Sequence, residues 1–148
     1  MLGTLNTHGI NNLISSQALG RLACCEKDIP YIVPVTYAWD GKYIYGQTNE
    51  GTKLDILRKN PNVCFEIERM TNMANWESVV IQGQFQELKN TAAKKAREIL
   101  FSSVYSLTTS NTIHPFEHNV TEGESDSGFK PVMYRIKVKK MTGRFEKQ

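Results

Sequence analysis

The longest β-like run in the chain, Ile29 to Trp39 (IPYIVPVTYAW), carries prolines at positions 30 and 34. Proline has no N–H to donate to a ladder, so Pro34 confines this run to a sheet edge or a bulge. The amides of Val35 and Thr36 are then left facing something other than a neighbouring strand. A plain edge strand accounts for that pattern. So does a site where backbone groups address a flat polar ligand.

Asp40-Gly41 is a hairpin turn signal and leads into residues 43–64, YIYGQTNEGTKLDILRKNPNVC. This stretch reads as strand, polar loop, helix and strand. Tyr43-Ile44-Tyr45 is aromatic and β-branched, and Thr48 to Thr52 supplies turn and cap residues. Leu54, Ile56 and Leu57 begin a helical stripe, which Asn60-Pro61 ends. A helix opening on Gly51-Thr52 points unpaired N–H groups and a positive dipole end outward. Lys53 and the hydroxyls of Thr48 and Thr52 lie beside it, and together they have the chemistry of a phosphate cradle. A capped helix without ligand fits the same residues. A P-loop does not: Gly46 and Gly51 are correctly spaced, but Thr52 precedes Lys53.

The remaining chain reads as strands with helices between them. His8 to Ala18 has the apolar spacing of a short helix, and Arg21 to Cys25 begins a strand. Val63 to Glu68 alternates as a strand, Arg69 to Asn75 reads as a loop, and Trp76 to Leu88 is a second long strand. Gly83 within it marks a bulge or close approach. Thr91 to Tyr105 is a helix whose apolar face is Ala92, Ala96, Ile99, Leu100 and Val104, with Thr91 as its cap. Lys130 to Lys140 closes as a strand, followed by a turn and short extension. Residues 1–7 are expected to form a loose leader and residues 106–129 a long loop. The expectation is one domain over residues 1–148, mainly β, an antiparallel barrel with helices packed outside it.

Composition excludes several functions. A chain of 148 residues with 40% hydrophobic and 22% charged residues is expected to be globular. A net charge of +3 argues against nucleic acid. The absence of a long apolar run argues against a membrane span, and of a leader pattern against export, so a cytoplasmic protein is expected. Cys24, Cys25 and Cys64 lack metal-ligand spacing and read as reduced, packed thiols. His114 to His118 fits H-x-x-E-H, but the residues around it are poor helix formers and do not support a zinc site. No metal site is expected.

Taken in order, several segments resemble one family: Gly20 to Cys24, Pro30 to Tyr37, Tyr45-Gly46, Gly51-Thr52-Lys53, Arg58 to Phe65, and Ser78 to Gly83. It is the pyridoxamine 5′-phosphate oxidase-like flavoproteins, in the branch that includes nitroimidazole-resistance proteins. The resemblance runs from about residue 8 to 145. It implies a split β-barrel fold and a homodimer with FMN at the subunit interface. By resemblance, Val35 and Thr36 line the isoalloxazine ring, with Gln47 and Thr48 beside it. Thr52 and Lys53 hold the phosphate, and Trp76 and Ser78 come from the partner subunit.

The resemblance implies an FMN-dependent oxidoreductase passing electrons to a small acceptor of nitroaromatic or quinone type. Its alternative is a flavin or haem carrier without turnover, in which His114 and His118 would ligate iron. Relatives in this branch usually carry histidine where Gln47 stands, and glutamine cannot carry a proton near neutral pH. The arginine-rich C-terminal segment of true pyridoxamine phosphate oxidases does not follow Lys140, so oxidation of pyridoxamine phosphate is not expected.

Overall fold

A computed structural model describes residues 1–107 and 131–148. The elements are β1 (Leu2–Thr4), α1 (Thr7–Ser16), β2 (Leu19–Glu26), β3 (Ile29–Thr36), β4 (Ala38–Trp39) and β5 (Tyr43–Thr48). They continue with α2 (Thr52–Lys59), β6 (Asn62–Asn72), β7 (Asn75–Leu88), α3 (Asn90–Leu107) and β8 (Val132–Glu146). Every strand pairing is antiparallel, in the order β3-β2-β6-β7-β8-β5-β4, with β1 added on β8. β3 runs into β4 through Tyr37, so the two ends of this order are joined by the chain. The sheet therefore curls into a barrel that stays open where β3 leaves β5. This is the expected mainly β split barrel.

Two apolar clusters hold the sheet. The larger receives Ile10, Leu13 and Ile14 of α1 and Leu54, Ile56 and Leu57 of α2, packed on Leu22, Phe65, Ile81 and Ile136. The smaller lies on the other face of β5 and β8, where Ala96, Leu100 and Val104 of α3 cover Ala38, Tyr45 and Met133. Ala92, expected on that face of α3, is exposed.

Proline placement follows the edge rule. β3 has only β2 as a neighbour, and Pro34 stands opposite Arg21 there. Gly83 sits at a register shift: Gln82 faces Lys140 while Gly83 faces Val138, leaving Lys139 extra. A Cβ at Gly83 would stand 2.4 Å from the Lys137 carbonyl oxygen. The Glu26–Ile29 hairpin turns through Lys27 and Asp28 at φ 49° and 63°, left-handed values that aspartate tolerates better than most residues.

Four readings need correction. Residues 1–7 are not a loose leader: Leu2–Thr4 pairs with Arg144–Glu146, and Asn6 caps α1 by accepting from the Gly9 N–H at 2.8 Å. Arg69 to Asn75 is not a loop, since β6 and β7 run on to a two-residue turn at Met73-Ala74. Lys130–Lys140 is part of one strand that continues to Glu146. Thr91 lies inside α3, which begins at Asn90, and does not precede it as a cap. The expected loop over 106–129 gives way to α3 as far as Leu107; the rest of it, with His114 and His118, lies outside the described residues.

Candidate functional site

The opening in the barrel has a definite register. β4 pairs with β5 through Ala38↔Tyr45 and Trp39↔Ile44, which puts Thr36 level with Gln47. Pairing ends at Ala38, however, because the Tyr37 N–H donates to the Ala18 carbonyl at 3.0 Å. In an antiparallel ladder the hydrogen-bonding groups alternate between the two sides of the strand. The Tyr37–Ala18 bond places Val35 in the ladder with Gly20 and turns the Thr36 N–H away from β2, toward β5. Thus Thr36 presents main-chain groups to the opening, whereas the Val35 amide is committed to the sheet and its side chain to the core.

Gln47 faces the opening from the other side. Its side chain shares a face with Tyr45 and stands opposite Met133, and its Oε1 is buried without a hydrogen-bond partner. Thr48, one residue on, is buried, and its hydroxyl donates to the Asn49 carbonyl at 3.3 Å.

Four residues further, α2 begins. Gly51 is its N-cap in extended backbone, with no side-chain hydrogen bond to the first turn, and the ladder starts with Asp55 N–H to the Gly51 carbonyl at 3.0 Å. The amides before Asp55 are therefore free for an anion. Thr52 is exposed and Lys53 is partly buried. Burial pulls the Lys53 pKa down, offset in part by the neighbouring Cys24 thiol. Cys24 is pushed up, again mainly by burial, with Lys53 opposing. Among the described residues no carboxylate pairs with Lys53, whereas Arg58 at the other end of the helix is held by Glu50 and Glu87. A desolvated, unpaired ammonium beside free amides is a site for an anion.

Trp76 and Ser78 stand elsewhere. Both lie on the outer face of β7, Trp76 opposite Met70 and Glu146, Ser78 opposite Glu68 and Arg144. Ser78 donates to Glu66 Oε1 at 3.0 Å, and Arg21 bridges Glu66 and Glu68 at 3.3 and 3.0 Å. Thr36 is on the same face, but β2 and β6 intervene. Three strand spacings separate Thr36 from Ser78, about 14 Å along the sheet. Thr36, Gln47 and Thr48 thus flank the opening, Thr52 and Lys53 follow at the start of α2 with Lys53 near Cys24, and Trp76 and Ser78 lie apart.

Two neighbours of this site escaped sequence reading. Cys24 and Lys53, 29 positions apart in sequence, come close enough to influence each other electrostatically, with no local signal for it. Gly46 is required by Tyr134: a Cβ there would stand 2.3 Å from the phenol oxygen, which is itself buried without a partner. The Gly46↔Tyr134 register could not be known before the sheet order.

An antiparallel barrel left open between two strands defines a split-barrel protein. The chain matches the family described as pyridoxamine 5′-phosphate oxidase over residues 7–145, and it belongs to that family. An uncharacterized protein of Rhizobium meliloti (strain 1021) is 43% identical over 79 residues, which are 53% of this chain and 52% of that protein. The match thus spans about half the length of that relative.

Among solved structures, an FAD-binding protein of Mesorhizobium loti superposes with a TM-score of 0.81 at 24% identity, covering 100% of this chain and 98% of that one. A candidate 5-nitroimidazole antibiotic resistance protein of Bacteroides thetaiotaomicron gives 0.72 at 18% identity, covering 98% and 89%. These likenesses establish the fold. No helix among the described residues is long and apolar enough to cross a membrane.

Proposed function

We propose that the protein binds FMN and acts as an oxidoreductase, passing electrons from a reductant to a small acceptor of nitroaromatic or quinone type. The observation that carries this reading is the pairing of an uncapped α2 start with the partly buried, unpaired Lys53, next to an opening lined by main-chain groups. One cation and one helix start match one phosphate, the pattern of FMN, better than a pyrophosphate. Thr52 and Lys53 hold that phosphate. The Thr36 amide and the Gln47 main chain address the ring edge, Val35 backs it from the core, and Thr48 closes the phosphate end.

When bound, FMN supplies the redox chemistry, and the protein tunes it. Fixed N–H groups in a partly apolar slot favour the form of the ring that carries negative charge. Gln47 accepts or donates a hydrogen bond there without titrating near neutral pH. Any proton the reaction needs would therefore have to come from another group than Gln47.

The site is completed by a second copy of the chain. Trp76 and Ser78 are some 14 Å from Thr36 within one protomer, so their contribution comes from the partner of a homodimer with FMN between the subunits. Loading the protein with FMN and assaying reduced nicotinamides against nitroaromatic and quinone acceptors tests the reading. Turnover abolished by Lys53→Ala supports it. Tight FMN binding with no turnover against any acceptor leaves a flavin carrier instead.

A further inference from the structure

A second concavity lies over β2, β6, β7 and β8. It is a groove of about 460 Å³ whose lining includes Ala23, Cys25, Asn62, Cys64, Gly83 and Lys139. The register explains its chemistry. Ala23 is opposite Cys64 in the last pair of the β2–β6 ladder, and Cys25, two residues past Ala23, lines the same groove as Cys64. Diagonal neighbours in an antiparallel pair have Cβ atoms within about 7 Å. That is too far for a disulfide without moving the backbone. It is within reach of two sulfurs on one metal, whose separation is about 4.6 Å, twice a metal–thiolate bond of about 2.3 Å. Both thiols are free and partly exposed; Cys24 also lines the groove but is buried within the core cluster.

The bulge at Gly83 supplies the third element. It leaves Lys139 without a cross-strand partner and places it in the groove wall. Bulges commonly re-aim a side chain in this way. Among the described residues no three of His, Cys, Asp and Glu converge, so these residues offer a pair of thiols, a set that suits a soft ion.

We propose that Cys25 and Cys64 form a two-coordinate site for a soft monovalent cation of the copper(I) type, with Lys139 as its counter-charge. Each thiol loses a proton and forms one sulfur–metal bond, with no change of oxidation state. Two thiolates and one monovalent ion leave a net charge of −1, which the Lys139 ammonium offsets. A divalent ion would leave the lysine opposed by nothing.

Copper(I) buffered by bathocuproine disulfonate under anaerobic conditions, added to the whole protein, tests this. The expected result is one ion per chain. Cys25→Ala and Cys64→Ala should each weaken binding by more than about 100-fold, beyond the ~10–100-fold that losing a supporting group costs. Lys139→Met should weaken it about 10-fold, and Cys24→Ala should leave it unchanged. Alkylation mapping of the wild-type protein, which needs no variant to fold, should show copper protecting Cys25 and Cys64 together. Complete loss of copper to the chelator, protection of only one of the two thiols, or equal loss in Cys24→Ala would overturn the proposal.

Discussion

Thr36 stands opposite Gln47 in the register set by Ala38↔Tyr45 and Trp39↔Ile44, yet pairing between the two segments stops at Ala38. Tyr37 holds the chain at that point. Its N–H goes to the Ala18 carbonyl and its hydroxyl donates to the Ile14 carbonyl at 2.5 Å, tying the opening to the end of α1. Tyr37→Phe leaves a buried carbonyl without its donor and should cost about 1–3 kcal/mol. A fall in the denaturant midpoint at unchanged m-value is the expected readout. An unchanged midpoint would mean that the opening is held by packing alone.

Tyr134 makes the opposite prediction. Its hydroxyl is fully buried with no partner, and burial raises its pKa. Tyr134→Phe removes an unsatisfied donor and keeps the ring on Phe85, so thermal stability should hold or rise. Gly46→Ala, by contrast, drives a Cβ to 2.3 Å from that oxygen and 2.4 Å from Cζ, and should cost about 1–3 kcal/mol. Because Cζ remains in Tyr134→Phe, that change should not rescue Gly46→Ala; full rescue would refute the packing argument.

Lys53 should trade stability for binding. Burial lowers its pKa in the folded chain, so between that value and the ordinary lysine range the unfolded chain holds more protons. Stability without ligand therefore rises with pH across that window, and below it the folded state carries the full cost of a buried cation. Lys53→Met should melt higher than wild type at neutral pH, with the difference shrinking as pH rises through the window. Its FMN affinity should fall by roughly 1.5–3 kcal/mol, less at high salt. Calorimetric titration at two pH values and two salt concentrations reads both effects. Unchanged affinity would leave α2 a capped helix without a ligand.

Trp76 should couple assembly to flavin. Truncating an aromatic anchor at the centre of an interface costs about 2–4 kcal/mol. Trp76→Ala should therefore shift the protein toward monomer in sedimentation, and added FMN should recover the dimer only in part. In the wild type, FMN should tighten the dimer and dilution should release it. A wild-type monomer that retains FMN on dilution contradicts the shared site.

Much of this was legible because the signals were local. Pro34 announces an edge, Asp40-Gly41 a hairpin, and Gly51-Thr52 followed by Leu54, Ile56 and Leu57 a helix start. Gly83 marked a bulge because glycine inside a strand has few other uses. The Met73-Ala74 turn was missed because it has neither glycine nor proline. Asn72 makes the turn, its side-chain oxygen accepting from the Ala74 N–H at 2.9 Å and from Asn75 Nδ2 at 3.0 Å.

Gly143 misled in the other direction. It reads as a turn but sits in mid-strand, where Leu5 and Ile10 approach within about 3 Å of its absent Cβ. The Thr36–Gln47 opening and the approach of Lys53 to Cys24 depend on sheet order, which no local pattern encodes. The resemblance to a flavoprotein family grouped Thr36 with Gln47 in advance, but it gave neither the strand order nor the approach of Lys53 to Cys24.

The central claim is that the helix start at Gly51 and the opening beside Gln47 together hold FMN. The absorption spectrum of the protein as purified, followed by fluorescence titration with FMN and FAD, tests it most directly. The expected result is a flavin spectrum, or quenching of added FMN at one per chain, with FMN bound more tightly than FAD. A colourless protein that leaves the fluorescence of added FMN unchanged would contradict it.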